Sequence, residues 1–436
     1  MQSRRKFLRF LAGTPGLALL PASASAQQTS QGPSDTNVIR NAEEAAALVL
    51  SLARQADREG TFGVGGAIVE SDTGRVVHTM HNKVLQRLGA GLGKLSNTVY
   101  VSDPTAHGER QLVYWYYENR MRLSLPDPEG LTVITSLDPC AMCAGSLLKA
   151  GFRVAVVAYD DFAGVNWKRK GGFESFPPDI RSRFRNTFGY FAVENSRPWS
   201  GQGVPLVSRS AVTQASAENC DTVFSKNAEK VRDASNASGL DPRAPANRMI
   251  DPAKSPLRDR YRLSFEAAFS VKLEDYRRPD DTLKRYLRQL VQRTPGAKNA
   301  VAFIDYFGNL MMASADRFDI SPVATAFMTT VQNYSKLRFA LVNDPSTSEV
   351  AQRSLVSPKF GTFVFLHAPD GFDPNTLKDL GAYGSTMEGP IPIPLPSNFQ
   401  FFEDPLVGSA DDLRALIAGM PPLYIELVGI NPQKVQ

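Results

Sequence analysis

The stretch Pro104-Thr105-Ala106-His107-Gly108-Glu109 decides how this chain reads, together with Asp138-Pro139-Cys140-Ala141-Met142-Cys143, whose first cysteine lies 33 residues after the histidine. Each cluster stands where a helix is expected to begin, over 107–122 and 140–150 respectively. Cys140 and Cys143 are three residues apart, so at a helix start both sulfurs lie on one face and can grip one ion. The partial positive charge of a helix N-terminus favours thiolate over thiol and prepares such ligands. His107 would complete three protein ligands. The fourth tetrahedral position is then left to water, the arrangement that separates a catalytic zinc from a structural one. Glu109, two residues beyond the histidine, would stand beside that water as a general base. A structural zinc knuckle or a redox C-x-x-C pair uses the same cysteines and is the plainer alternative.

Working outward, residues 38–60 form an Ala/Leu/Glu-rich helical pattern closed by Gly60. Two short apolar runs around Ser71-Asp72-Thr73-Gly74 predict a β-hairpin over 66–80. Residues 131–136 and 153–159 read as strands. Helices alternating with strands indicate a sheet covered on both faces, an α/β fold of three layers spanning 38–195. Residues 196–258 are rich in Ser, Asn, Asp, Ala and Pro with little periodicity and read as a linker. A second globular region, 259–436, follows it. The Pro-rich run 389–396 within that region is expected to be extended.

H-x-E with P-C-x-x-C is the signature of the zinc-dependent nucleobase deaminases, and the residues around His107, Glu109, Cys140 and Cys143 resemble that cytidine/deoxycytidylate deaminase-like superfamily. The flanks, Asp103 to His107 and Thr135 to Gly145, look most like its guanine deaminase and tRNA adenosine deaminase branch. His81-Asn82-Lys83-Val84 resembles that branch's asparagine segment. The likeness covers roughly residues 38–193. It departs from the pattern at Gly108, where the branch usually has Ala, at Asp138, where it usually has Glu, and in a Gly-rich insertion between Asn82 and Asp103. The resemblance implies a three-layer deaminase-like sheet, Zn2+ held by His107, Cys140 and Cys143, and hydrolytic deamination with Glu109 moving the protons. It further implies Asn82 as a contact to the bound base, with backbone groups of Ala106 and Ala141 helping to hold it.

The formal charge of +5 looks like a call for a polyanionic partner, but four basic residues, Arg4, Arg5, Lys6 and Arg9, stand before Ala26 with no acid to oppose them. The rest of the chain is nearly neutral, so nucleic acid is not the expected partner. Ser3-Arg4-Arg5-Lys6-Phe7-Leu8, a short apolar stretch and Ala24-Ser25-Ala26 resemble a twin-arginine export signal over 1–26. That implies a periplasmic or secreted protein. The apolar stretch is too short to span a bilayer, and no other run is long enough, so no transmembrane helix is expected. Of the three cysteines, Cys220 falls in the expected linker and reads as a spare thiol open to intermolecular pairing. Gly89 to Lys94 fails the phosphate-loop pattern. The basic groups Lys168 to Lys170 and Arg181, Arg183 and Arg185 read as solvated faces.

The second region reads as a worn copy of the first. A helical pattern at 281–291, a hairpin over 300–313, a helix opened at Ser321 to Phe327, a strand at 338–342, a helix opened by Asp344-Pro345 and a strand at 361–366 repeat the order of the first region. Laid against it, Thr325 replaces His107, Phe327 replaces Glu109, and Ser346 and Glu349 replace the cysteines. A silent α/β copy of this kind would cover the first domain's apolar surface in place of a homodimer partner. The tail is expected to add a helix at 410–418 and a strand at 423–430. Two function classes remain: deamination of a small nucleobase, nucleoside or related heterocycle, guanine first, or an exported nucleic-acid-directed deaminase or non-catalytic nucleobase-binding protein.

Overall fold

The computed structural model describes residues 38–168, 173–194, 204, 206–207, 210–243, 248–387, 389, 391 and 396–436. The expected export signal and most of the Pro-rich run lie outside them.

The first unit runs α1 (Ala42–Glu59), β1 (Gly65–Glu70), β2 (Val76–His81), β3 (Leu85–Arg87), β4 (Val99–Val101), α2 (Gly108–Leu123), β5 (Leu131–Leu137), α3 (Ala141–Ala150), β6 (Arg153–Ala158), α4 (Pro178–Thr187) and β7 (Phe188–Tyr190). The local chemistry explains α1: Asn41 caps it by accepting from the Glu44 N–H, and Gly60 closes it in a left-handed conformation. The sheet order is β2-β1-β5-β6-β7, with β1 antiparallel to β2 and β5, and β5, β6 and β7 parallel. Successive residues of its strands enter different cores. Ile68, Val133, Val154 and Val156 face α2 and α3, whereas Val69, Ile134, Ala155 and Val157 face α1 and α5 (Gln214–Ala237). Burial on both faces is why these strands read as near-continuous apolar runs.

The second unit continues with α6 (Leu257–Ser264), α7 (Asp281–Arg293), β8 (Ala300–Ile304), β9 (Leu310–Ala315), α8 (Ala326–Asn343), α9 (Ser348–Ser354), β10 (Thr362–His367), α10 (Pro374–Met387), β11 (Phe399–Glu403), α11 (Ala410–Ala418), a π-helical turn Leu423–Val428 and β12 (Gln433–Lys434). Its sheet order is β12-β11-β10-β8-β9, with the hairpin and β8/β10 antiparallel and β10, β11 and β12 parallel. Read from the hairpin inward, order and strand senses match the first sheet. Val301 and Phe303 share one core with α2 and α3, while Ala302 and Ile304 pack with Leu283 and Leu287 of α7. The helices of the two units are thus pressed between two sheets. At the centre, a Cβ on Gly145 would strike the Lys378 backbone and one on Gly381 the Met142 backbone, so two glycines permit α3 and α10 to touch main chain to main chain.

Five sequence expectations are corrected. The expected linker holds the 24-residue α5, capped by Thr213; its apolar stripe at Ala217, Cys220, Phe224, Ala228 and Val231 is diluted by small and polar residues. Cys220 is therefore buried in the core, unbridged, with its thiol pushed up to about 12 by burial, and is not available for intermolecular pairing. Residues 338–342 belong to α8, because Val331, Tyr334, Leu337 and Leu341 continue a helical stripe. The counterpart of the cysteine helix is consequently α10, not the helix opened by Asp344. Residues 423–428 form the π-helical turn, with Leu423 and Tyr424 both buried and Ile425 exposed, a pattern no alternating strand gives. Among the described residues, no helix is long and apolar enough to cross a membrane.

Candidate functional site

The N-termini of α2 and α3 converge at the carboxyl ends of β5 and β6. His107 and Cys140 are the residues immediately before the two helices, both in extended conformation, and Glu109 and Cys143 lie in the first turns. The ligand atoms of His107, Cys140 and Cys143 all fall within 4.8 Å of one another, and Cys140 Sγ is 3.5 Å from His107 Nδ1. Zinc bonds of ordinary length at a tetrahedral angle place sulfur and nitrogen about 3.5 Å apart. Two soft sulfurs and one imidazole nitrogen also form the donor set zinc prefers. The residues present fit Zn2+, as the sequence led one to expect. Burial and the neighbouring thiol's hydrogen bond split the two cysteines: the bond from Cys143, with the imidazole close by, holds Cys140 well below the usual thiol range, whereas burial drives Cys143 well above it.

Glu109 is 2 % exposed. Its Oε1 lies 3.1 Å from Thr135 Oγ1, and its Oε2 3.5 Å from Cys143 Sγ. Burial, reinforced by the charge of Cys140, raises its pKa. One carboxylate oxygen is thereby positioned by the β5 threonine while the other points along the row of ligands.

Asn82 follows the hairpin directly and accepts the Gly108 N–H at Oδ1, 2.6 Å away. That donor fixes the amide's orientation and turns its NH2 toward other partners. Ala106 and Ala141, expected to offer backbone groups to a base, have backbone groups engaged within the chain. The Ala106 carbonyl accepts from Lys83 N–H and Gln111 Nε2, its N–H donates to Asp103, and the Ala141 N–H donates to Tyr424 Oη at 3.2 Å. Neither residue lines the pocket.

The pocket that opens over these groups spans about 560 Å³, the solvent at its mouth included. Asn82, His107, Glu109 and Cys140 form its floor, and Phe62, Phe162 and Phe224 supply aromatic walls. Asp138, the departure from the family pattern, accepts from Tyr190 Oη at 2.5 Å and from the Asn166 N–H at 2.7 Å, tying the loop after β6 to the floor. Asp160 holds that loop from within by accepting the Phe162 and Ala163 N–H groups. The Gly-rich insertion contributes no wall. Sequence reasoning missed four contributors: Phe224 and Arg232 from α5, and Ser385 and Leu423 from the second unit. The Arg232 guanidinium lies 5.6 Å from the Phe162 ring centre at the rim, and the Leu423 N–H donates to the Phe162 carbonyl. His78 stacks on Trp115, and His81 bonds Glu59; neither joins the metal-ligand group.

Residues 39–159 match the family described as the cytidine and deoxycytidylate deaminase zinc-binding region. A cytosine deaminase of Candida albicans is 30 % identical over 110 residues, which are 25 % of this chain and 61 % of that protein. The chain therefore spans somewhat less than two thirds of that relative. Among solved structures, a guanine deaminase from Nitrosomonas europaea is 19 % identical, with 44 % of this chain and 87 % of that one covered and a TM-score of 0.25. A tRNA:A34 deaminase is 24 % identical, covering 28 % of this chain and 78 % of its own, with a TM-score of 0.21.

Proposed function

We propose that this protein is a zinc-dependent hydrolase that deaminates an amino-substituted nucleobase or related heterocycle, guanine first among them. The observation that carries the reading is the placement of Glu109: a buried carboxylate in the same helix turn as one ligand and in contact with another, facing a pocket with aromatic walls. A structural zinc knuckle has no use for such a group. When bound, zinc supplies the Lewis acidity that makes water a nucleophile near neutral pH.

The chain's own residues do the rest. Glu109, its Oε1 beside Thr135 and its Oε2 toward the ligands, takes the two protons of the attacking water in turn and returns the first to the ring nitrogen and the second to the departing ammonia. Its raised affinity for a proton suits a group that must both accept and donate. The Asn82 amide donates to an acceptor on the base edge, and the phenylalanines exclude water while offering faces on which a flat ring can stack.

Ammonia release across a panel of bases, nucleosides and tRNA, with zinc-loaded protein, tests the reading. Guanine turnover is expected, and Glu109→Ala is expected to keep zinc and lose turnover. Normal turnover by that variant would remove the mechanism; activity on tRNA alone would replace the small-molecule substrate with a nucleic acid. Export through the twin-arginine route is part of the same proposal, resting on residues 1–26. Accumulation of uncleaved protein in the cytoplasm, independent of Arg4 and Arg5, would contradict it.

A further inference from the structure

Arg338, on α8, is the largest fully buried side chain in the described structure, 1 % exposed. A guanidinium cannot shed its charge at any ordinary pH, so burial leaves it only partners as a remedy. The partners present are weak. One nitrogen donates to the Val356 carbonyl at 3.1 Å, and the Tyr100 and Tyr334 rings lie 5.5 and 5.9 Å from its centre. Nε has no hydrogen-bond partner, and no carboxylate among the described residues pairs with the group. Asp103, across the unit boundary, is already paired with Arg110 and Lys336, and Asp241 with Arg243.

This cation lines a narrow, partly open cavity between the two units, joined there by Lys359, Ser235, Ser335, Ser385 and Thr386. The hydroxyls of Ser235 and Ser335 are buried and also lack any partner. Unsatisfied buried donors from α5 and α8 thus converge with an uncompensated buried cation on one void. We propose that the cavity binds a phosphoryl anion. A tetrahedral group with three outer oxygens meets the guanidinium and the two unpartnered hydroxyls from different sides more fully than a planar carboxylate with two, while Lys359, bonded to Asn236, adds positive charge beside them. Ser385 lines both this cavity and the pocket over Glu109, so the anion would sit one side chain away from the reacting base. The phosphoryl group is either the tail of a nucleotide substrate or a separate small phosphorylated ligand.

Calorimetry of the full chain with inorganic phosphate, at ionic strength balanced by chloride, is expected to show one saturable site. Arg338→Met should weaken it at least tenfold, roughly the loss that follows from removing a buried charged partner. Ser335→Ala and Ser235→Ala leave the buried cation in place and should weaken binding by smaller factors, which keeps the test sharp should Arg338→Met fail to fold. Competition between inorganic phosphate and a nucleoside 5′-monophosphate in the deamination assay, with a raised KM in Ser335→Ala, assigns the anion to the substrate. Phosphate binding without such competition assigns it to a separate ligand. Absence of saturable phosphate binding in the unaltered protein, or binding unchanged in every variant, overturns the proposal. The binding measurement needs no turnover, so it stands or falls apart from the deaminase reading.

Discussion

The two units share a strand order and opposite chemistries at the same place. In the first, the residues opening α2 and α3 are His107, Glu109, Cys140 and Cys143. In the second, Thr325 precedes α8 where His107 precedes α2, and counting from the reciprocal glycines 145 and 381 sets Asp379 against Cys143 and Thr376 against Cys140. There the centre is filled by the chain itself. Lys378, fully buried, donates to the Val323 carbonyl at 2.5 Å and to Thr325 Oγ1 at 2.8 Å, while Thr325 Oγ1 is 2.7 Å from Asp379 Oδ1. The convergence of two helix starts behind a parallel pair of strands is therefore a scaffold, and the donor set decides whether it holds a metal ion or an ammonium group. Phe327, where the first unit has Glu109, stacks on Phe365 and carries no proton.

The sharpest way to break this contrast is to alter Glu109, the proposed proton carrier, alone. Glu109→Gln keeps the shape and is expected to lower turnover about 10²–10⁴-fold, the usual worth of a general base, with zinc content by atomic emission unchanged. A variant that lost zinc instead would show that Glu109 is a ligand and that the comparison with Phe327 is misplaced.

The second unit offers the reciprocal test. Lys378→Met leaves Asp379 buried beside Thr325 with no cation, and should cost about 3–5 kcal/mol in urea unfolding. Lys378→Met combined with Asp379→Leu should recover much of that loss, since an apolar pair leaves no buried charge behind. Zinc stoichiometry should remain one per chain in both, and a change would mean that the second centre also binds metal.

Tyr424 is where the units meet chemically. Its Oη accepts the Ala141 N–H and lies beside the Cys140 thiol, so a residue of the second unit reaches the outer side of a ligand in the first. Tyr424→Phe should weaken zinc retention by about 10-fold, toward the low end of what outer partners of metal ligands contribute, read by competition with a chelating dye. Unchanged retention would confine the second unit to covering the pocket.

What the sequence revealed and what it hid follows the same division. His107, Glu109 and the two cysteines were legible because metal chemistry needs those residue types at fixed spacings beside helix starts. The first sheet was legible because strands buried on both faces carry long apolar runs. α5 was not, since a helix whose stripe is built from Ala, Cys, Val and Phe between Ser, Asn and Asp shows little contrast, and with it went the Phe224 and Arg232 walls. Tyr424 and Ser385 could not be found from local pattern at all, because only the packing of the second unit on the first brings one to the Ala141 N–H and the other to the pocket. The cysteine counterpart was misplaced by one helix, since Arg338 to Val342 is apolar enough to pass for a strand when the stripe running back to Val331 is ignored.

The hairpins differ too, and the difference sets how each unit meets acid. β9 is buried along its length, whereas five of the six residues of β2 are only partly covered. On that half-covered strand His78 stacks on Trp115 with ring centres 3.8 Å apart, its Nε2 lacking a partner. Burial, helped by the charge of Lys83, lowers its pKa to about 4 from 6.5. The unfolded chain then binds the proton first as pH falls, so the contribution is whole above pH 6.5 and is lost between 6.5 and 4. Discounted for its partial contact with solvent, the loss should be roughly 1–2 kcal/mol. His78→Phe keeps an aromatic ring on Trp115 and should flatten that part of the stability profile, measured as urea midpoints across the range. A profile unchanged in the variant would place the acid sensitivity elsewhere, and the second unit's buried hairpin, which carries no histidine, would no longer be the steadier of the two.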